Sequence, residues 1–217
     1  MSSADQAEVG FFEILQKLLR LDDTRDASAP ALATTNLKTV CGADAAYSGN
    51  TVIAVASLLD AKTGALIEQK EYSGKATFPY VPGLFFLREG PFVSAAVSKL
   101  SMKVDVVCFD AHGKAHPRKA GLATICGAAL GIPSVGISKS RLAGTTEEKK
   151  SSNKFILKDE SEEVVGIVTF NPRKYWSPGY SVSMNELYSI IRSYRGVCEK
   201  SIAESHNLSR KLLRRML

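Results

Sequence analysis

Three acidic residues lie at positions where a carboxylate is well placed for metal chemistry. Asp44 lies within a strand-like run on a face of small apolar residues, because successive strand side chains alternate between faces. Asp110 ends the apolar run VDVVCFD, and Glu89 lies in the intervening segment LREGP. A buried carboxylate must be paired or bind a metal. Carboxylates suit Mg²⁺, which recruits substrate phosphates, so the acids suggest metal-assisted phosphodiester cleavage.

The same acids also have a structural interpretation that involves no chemistry. Asp44 and Asp110 could cap turns, and Glu89 could form an ion pair with Arg88 or a lysine. Short acidic patterns often occur by chance. On the acids alone, this structural interpretation is favoured.

Basic and titratable residues near the acids strengthen the catalytic hypothesis. Two of the three histidines, His112 and His116, closely follow Asp110, and histidine can transfer a proton or bind phosphate near neutral pH. Lys139 follows the strand-like run SVGIS and could reach the same sheet end, although a surface lysine is the plainer interpretation. A zinc site on H-x-x-x-H with Asp110 is a minor alternative, since an intervening glycine and a following proline disfavour the helix it needs.

The elements that position these residues follow from hydrophobic periodicity and turn residues. A polar linker is predicted over residues 22–36, after an amphipathic helix that contains Phe11, Ile14, Leu15 and Leu18. The predicted strands are residues 38–47, 51–59, 65–72, 104–110, 134–138, 154–159 and 164–170. Further helices are predicted from Gly83 to about Met102, from Pro117 to Leu130, from Met184 to Tyr194, and around Leu208, Leu212 and Met216.

The order of these elements predicts the fold class. Three antiparallel strands come first and helices then alternate with strands, which predicts an α/β fold with a mixed sheet flanked by helices. Gly131 is predicted to end the helix before it in a left-handed conformation, and the polar residues 144–153 are predicted to form a mobile loop. The length of 217 residues fits one domain, residues 1–217.

Composition limits the partners and the compartment. The net charge of +6 favours an anionic partner such as nucleic acid, and residues 200–217 hold five Lys or Arg against one Glu. No apolar run is long enough to cross a membrane, and no secretion signal is visible at the N-terminus. The four cysteines lack C-x-x-C spacing, which indicates buried free thiols in a reducing compartment. We therefore expect a cytoplasmic protein with no membrane association.

Long strings across most of the chain resemble the endonuclease V family, whose members nick nucleic acid near deaminated adenine. The matching strings are GADAAY (42–47), PYVPGLFFLREGP (79–91), DAHGKAHPR (110–118), GLA (121–123), GIPSVGISKSRLAG (131–144) and SPG (177–179). The resemblance implies an RNase H-like fold, with a mixed central sheet and helices on both faces. It also implies that Asp44, Glu89 and Asp110 are the metal-site acids, and that His116 and Lys139 are further active-site residues.

The resemblance assigns two more groups of residues to recognition of the damaged base. The wedge that enters the nucleic-acid helix corresponds to Pro79, Tyr80, Val81 and Pro82. The pocket for the extruded hypoxanthine corresponds to Gly83, Ala111, Gly121 and Leu122. Prolines would stiffen the wedge, and its tyrosine would stack on bases, an interaction worth about 1–3 kcal/mol per base. An ordinary proline-bracketed surface turn is the alternative for this segment.

The chain departs from the family pattern at two positions. Ala111 stands where the family commonly has glycine, and its methyl group could narrow the pocket or point away from it. Tyr180 stands where histidine usually follows SPG, which puts a phosphate or proton role at that position in doubt. His206 shows a weaker match to a polar family position near the site.

The resemblance implies a Mg²⁺-dependent endonuclease, with Mn²⁺ as a substitute ion, that nicks DNA 3′ to deoxyinosine in repair. Asp44 and Asp110 would ligate the metal, and Glu89 would complete the site or orient the attacking water. Lys139 would stabilise charge on the phosphate, and His116 would assist by hydrogen bonding.

Two alternatives to this function stay open at the level of sequence. The first is an inosine-specific endoribonuclease, which members of the family can be. The second is a non-catalytic module that binds mismatched or deformed duplex. In each case the expected partner is nucleic acid, with basic residues near the C-terminus and in residues 144–158 on its phosphates, and the expected state is a monomer.

Overall fold

The central element of the fold is a mixed β-sheet. The computed structural model describes residues 36–149 and 154–216, together with Phe12 and Gln16. The strands within these residues are β1 (Thr39–Ser48), β2 (Thr51–Asp60), β3 (Leu66–Lys75), β4 (Val106–Phe109), β5 (Ser134–Ser138), β6 (Thr145–Lys149), β7 (Lys154–Lys158), β8 (Val164–Thr169) and β9 (Lys174–Pro178). They form one sheet in the order β3-β2-β1-β4-β5-β9-β8-β7-β6.

The sheet combines parallel and antiparallel pairs, as predicted. Strands β1, β4 and β5 are parallel neighbours, whereas β1–β2, β2–β3 and the pairs from β5 to β6 are antiparallel. Parallel strands bring their carboxyl ends to the same edge of a sheet. The predicted α/β class with a mixed sheet is therefore confirmed.

Helices cover both faces of this sheet. In the described ranges they are α1 (Phe85–Ser98), α2 (Leu122–Leu130) and α3 (Met184–Met216). Helices α1 and α2 share a core with Cys41, Val107 and Phe109, whereas α3 packs with Val40 and Val106 on the opposite face. Neighbouring strand residues belong to different cores because successive side chains of a strand point to opposite faces of the sheet. None of the described helices is long and apolar enough to span a membrane.

Several element predictions are wrong in their boundaries. Residues 145–149 form strand β6 and not a loop, because their backbone pairs antiparallel with β7; polar side chains are common on such an edge strand. The helix predicted from Pro117 begins at Leu122, since residues 111–121 are held in turns by bonds such as Gly121 N–H to the Gly113 carbonyl (3.0 Å). Its end is as predicted, with Gly131 at φ 65°.

The C-terminal third also differs from the prediction. One continuous helix, α3, spans both predicted C-terminal helices, and the short strand β9 was not predicted. The helix predicted to run to Met102 ends at Ser98. Of the predicted N-terminal helix, Phe12 and Gln16 are helical, while the four residues that predicted it and most of the linker over 22–36 lie outside the described residues.

Candidate active site

Two of the predicted acids meet at the edge formed by β1 and β4. The register pairs Ala43 with Phe109, so Asp44 and Asp110, which follow them, lie side by side. The Asp110 amide also donates a hydrogen bond to the Ala43 carbonyl (3.3 Å). The parallel pairing of β1 with β4 therefore brings the two carboxylates together.

A histidine from α3 completes this group. The Nδ1 atom of His206 lies 2.7 Å from Oδ2 of Asp44. One ligand atom from each of Asp44, Asp110 and His206 lies within 4.8 Å of the others. Among the described residues this is the one group of three or more such side chains that could share a metal ion. We call these three residues the metal group.

The electrostatics of the metal group favour a bound cation. Asp44 is 6 % exposed, and burial together with the neighbouring Asp110 raises its pKa, which the hydrogen bond to His206 only partly offsets. Two close carboxylates in a poorly solvated place repel each other, and a divalent ion would relieve that repulsion. The two carboxylates fit Mg²⁺ or Mn²⁺, whereas the imidazole is a ligand more typical of transition metals than of Mg²⁺.

Lys139 contacts the metal group from the neighbouring strand. It follows β5, which pairs with β4, and its Nζ lies 2.7 Å from Oδ2 of Asp110. The ammonium is about half exposed, so it can also reach an anion outside the group. Its ion pair with Asp110 orients the lysine at the edge where a phosphate would approach.

Glu89 lies beside the metal group but outside it. It is buried on α1 (5 % exposed), and its Oε2 accepts a 2.8 Å hydrogen bond from the Tyr47 hydroxyl. Burial, and then the charge of Asp44, raises the pKa of Glu89 to about 8. A carboxyl of this kind can hold or release a proton near neutral pH, as a general acid or base must.

The two histidines after Asp110 do not join the metal group. The Nε2 atom of His112 lies 2.9 Å from the Ser140 carbonyl. The Nδ1 atom of His116 accepts a hydrogen bond from the Arg118 amide (3.1 Å). Burial, and then the charge of Arg118, lowers the pKa of His116 to about 4, so the ring is neutral at pH 7. The described residues therefore do not form the zinc site considered from H-x-x-x-H.

His116 instead lines a cavity next to the metal group. The cavity has a volume of about 270 Å³, and Asp110 stands at its junction with the metal group. All four residues assigned to the base pocket line it: Gly83, Ala111, Gly121 and Leu122. Sequence positions far apart therefore meet around a space that adjoins the acids.

The predicted wedge lies at the mouth of this cavity. Tyr80 lines it while remaining 65 % exposed, and its ring meets that of Phe85 edge-on at 6.1 Å. Pro79 and Pro82 are exposed and Val81 is half-buried. An aromatic ring held at the surface beside a cavity is suited to stacking on bases.

The two departures from the family pattern have different surroundings. Ala111 is buried, lines the cavity and also belongs to the apolar core with Phe109 and Leu122. The Tyr180 amide donates to Oγ of Ser134 (2.8 Å), at the start of β5, whereas Lys139 follows the other end of that strand. The backbone at Tyr180 is therefore at the end of β5 opposite to the metal group.

Beyond the metal group, α3 carries a basic surface. A groove on this helix is lined by His206, Asn207, Arg210, Lys211, Arg214 and Arg215, and we call it the α3 basic groove. It begins at the histidine of the metal group. A row of positive side chains that begins at the metal group is suited to bind a polyanion whose backbone continues beyond the reacting phosphate.

Sequence reasoning missed or only weakly signalled some of these residues. His206 was signalled only by a weak match to a polar family position near the site. Tyr47, which donates to Glu89, was not identified, although it ends the string GADAAY. Gln16, which lines the cavity, had no signal, because one glutamine in an amphipathic segment does not predict burial.

Comparison with known proteins yields one family. The family model of endonuclease V matches residues 23–200. The endonuclease V of Sulfolobus acidocaldarius is 34 % identical over 92 % of this chain and 95 % of its own length. That of Saccharolobus solfataricus is 38 % identical over 70 % of this chain and 72 % of its own.

Solved structures of endonuclease V from other organisms are similar to this chain in their three-dimensional fold. Endonuclease V from Streptomyces avermitilis has a TM-score of 0.80 at 25 % identity, covering 100 % of this chain and 95 % of its own. Endonuclease V from Ciona intestinalis, solved with a 24mer DNA containing an inosine followed by a ribo-adenosine, has a TM-score of 0.83 at 19 % identity, covering 98 % and 100 %. The fold is therefore that of the endonuclease V structures.

Proposed function

The chain belongs to the endonuclease V family, and we propose that it nicks inosine-containing DNA 3′ to the deaminated base in a metal-dependent reaction. The observation that carries the proposal is the metal group next to a cavity lined by the residues expected to hold the base. The reaction would leave 3′-hydroxyl and 5′-phosphate ends. Because the nick would mark a strand that contains deaminated adenine, the activity would belong to DNA repair.

Asp44, Asp110 and His206 are the residues that would hold the ion. Mg²⁺, with Mn²⁺ as a substitute, would lower the pKa of a water and offset charge on the leaving oxygen. Without an ion, burial and the charge of Asp110 raise the pKa of Asp44, so these carboxylates are poised for a cation.

Residues around the metal group would position the other reacting atoms. Glu89 would orient the attacking water through the carboxylate oxygen that Tyr47 leaves free, or would complete the metal site. Lys139, which pairs with Asp110 at 2.7 Å, would stabilise charge on the phosphate. His116 is neutral and lines the cavity, so its role would be hydrogen bonding near the base.

Base selection would use the cavity and the exposed tyrosine. Extruding a base costs a few kcal/mol, least where its pairing is already weak. Tyr80 would fill the gap in the stack, and the cavity lined by Gly83 and Gly121 would receive the base. Glycine has no side chain beyond its α-carbon, so it lets a base approach the backbone of the cavity wall closely, and backbone groups in that wall would pair with the edge that distinguishes hypoxanthine from adenine.

We also propose that the protein is cytoplasmic, monomeric and built as a single domain. The four cysteines are buried and free, in agreement with a reducing cytoplasm. Residues of one chain form both the metal group and the cavity, so the proposed reaction does not require residues of a second subunit.

The test compares matched end-labelled duplexes that carry deoxyinosine, an inosine ribonucleotide or adenine at one position. With Mg²⁺ we expect the deoxyinosine strand to be nicked much faster than the other two, and no nicking in the presence of a chelator. Nicking confined to the ribonucleotide would make the protein an endoribonuclease. Binding to the deoxyinosine duplex without nicking in either Mg²⁺ or Mn²⁺ would instead assign it to the non-catalytic modules.

A further inference from the structure

A glutamine from the N-terminal segment is buried against the base cavity. Gln16 is 0 % exposed. Its Nε2 donates to the Gly83 carbonyl (3.2 Å) and to the Ala120 carbonyl, and its Oε1 accepts from Nε of Arg118 (2.6 Å). Both ends of the amide are therefore bonded to segments that line or adjoin the cavity.

The Gly83 carbonyl is where these contacts converge. Nη2 of Arg118 donates to it at 2.8 Å, in addition to Gln16. Gly83 has φ +80°, and a Cβ built there would lie 2.4 Å from Nη2 of Arg118. Only glycine combines that backbone conformation with so close an approach. The guanidinium and the amide together fix the residue that joins the wedge to the cavity.

The same face of the N-terminal segment contacts the other end of the wedge. Phe12 and Gln16 are both helical, and residues four apart lie on one face of a helix. The ring of Phe12 meets that of Phe78 edge-on at 5.8 Å. One helix face therefore braces residues 78–83 from both sides, with Phe78 before Pro79 and Gly83 after Pro82.

Stability alone does not account for this choice of residues. Burying an amide and part of a guanidinium costs free energy unless every bond is made, and apolar residues of similar volume usually stabilise a core as well or better. Unlike apolar contacts, these hydrogen bonds fix the orientation of the groups that they join. They hold the Gly83 carbonyl at a set position relative to Ala120, which precedes the Gly121 wall of the cavity.

From this arrangement we infer that Gln16 and Arg118 are specificity-determining positioning residues, which set the spacing of the cavity walls at Gly83 and Gly121 between which the base would lie. The inference rests on the proposed function. Hypoxanthine and adenine have nearly the same shape and differ in hydrogen-bond donors and acceptors. A site built from fixed backbone groups rejects the wrong pattern by leaving buried groups unpaired, and this rejection is lost if the walls can shift.

The test measures discrimination and not activity alone. Gln16→Leu and Arg118→Met are compared with the wild type for the ratio of kcat/KM on inosine and adenine duplexes. Affinity for each duplex is measured separately in a chelator by fluorescence anisotropy. We expect the inosine-to-adenine ratio to fall by about tenfold or more, the scale of a lost hydrogen bond to the base. The fall in this ratio should come mainly from changes in the KM and the affinity for the two duplexes, whereas kcat should change by less than about threefold.

Two further variants separate positioning from folding. Arg118→Lys keeps the charge and one donor, so it should fold and recover part of the discrimination. Lys119→Met removes the adjacent cation, whose partners are Asp159 and Glu163, and should leave the ratio unchanged. Thermal unfolding establishes that each variant is folded.

The possible results lead to different conclusions. An unchanged ratio in folded Arg118→Lys and Arg118→Met would overturn the inference, as would an equal loss on both duplexes through kcat. A wild type that does not distinguish inosine from adenine would instead contradict the proposed function. If Gln16→Leu does not fold, the two Arg118 variants decide the question.

Discussion

At the scale of single residues, the candidate site combines buried acids with too little neighbouring positive charge. Asp44 and Glu89 both have raised pKa values, with burial as the first cause. Lys139 contributes one charge from a half-exposed position. Such an arrangement destabilises the metal-free protein and favours binding of a divalent cation. The acids themselves were evident from the sequence, whereas their burial depends on packing that no local pattern reveals.

The pH dependence of stability tests this account of Glu89. Its pKa in the folded protein, about 8, lies above the ordinary value of 4.5, so the folded state holds a proton that the unfolded state has released. Stability of the metal-free protein should therefore fall as pH rises from about 4.5 to 8. Glu89→Gln, which keeps an acceptor for Tyr47, should remove a loss on the order of 4 kcal/mol.

Urea unfolding in a chelator across this pH range provides the measurement. Glu162→Gln, on an exposed turn, controls for the removal of a carboxylate. A Glu89→Gln protein with the same pH profile as the wild type would contradict the raised pKa.

At the scale of elements, the parallel part of the sheet was predictable and the long-range helix contacts were not. Hydrophobic patterns predicted the strand that contains Asp44 and the continuous apolar run that ends at Asp110, and the observed parallel pairing of these strands places the two acids side by side. The contact of His206 with Asp44 requires α3 to lie across β1, and nothing local specifies that. Strand β6 was missed because its polar residues resemble a loop, and its partner strand supplies the pairing.

The approach of α3 to β1 depends on a glycine. A Cβ at Gly42 would lie 2.1 Å from the backbone carbonyl carbon of Ser201, and Oγ of Ser205 donates to the Gly42 carbonyl (2.8 Å). Gly42→Ala should therefore push the helix outward, at a cost of about 1–3 kcal/mol. It should also separate His206 from Asp44 and reduce nicking by at least about tenfold, as measured at saturating Mg²⁺.

A glycine within α3 itself provides the matched control. A Cβ at Gly196 meets no atom within 4 Å, so Gly196→Ala should stabilise α3 by up to about 1 kcal/mol and leave nicking unchanged. Full activity in a stable Gly42→Ala protein would show that the close approach does not position the site.

At the scale of the whole molecule, positive charge is concentrated where the metal group meets the surface. The net charge is +6, and the α3 basic groove continues from His206 along the last turns of the helix. A nucleic acid with its reacting phosphate at Asp110 could place neighbouring phosphates in this groove. The basic composition was visible in the sequence, but only the continuous helix shows that it extends from the site.

Salt dependence of binding tests the role of the α3 basic groove. Each phosphate contact contributes about 0.9 to the slope of log affinity against log salt concentration. Arg210→Gln and Arg214→Gln should each lower the slope by about one and weaken binding to inosine and adenine duplexes equally. Lys103→Gln, at a highly exposed lysine outside the groove, should change neither. If neither arginine variant changed the slope of log affinity against log salt concentration, the α3 basic groove would not be the surface that contacts the phosphates.

The most direct test of the central claim is a comparison of the wild type with Asp110→Asn on an end-labelled deoxyinosine duplex in Mg²⁺. Asparagine keeps the size of the side chain and removes the charge that the metal group needs. We expect the wild type to produce one nick 3′ to deoxyinosine. The variant should be folded, bind the duplex and nick it at least about a hundredfold more slowly, as expected for a lost metal ligand. Equal nicking by the two proteins would contradict the assignment of this group as the catalytic centre.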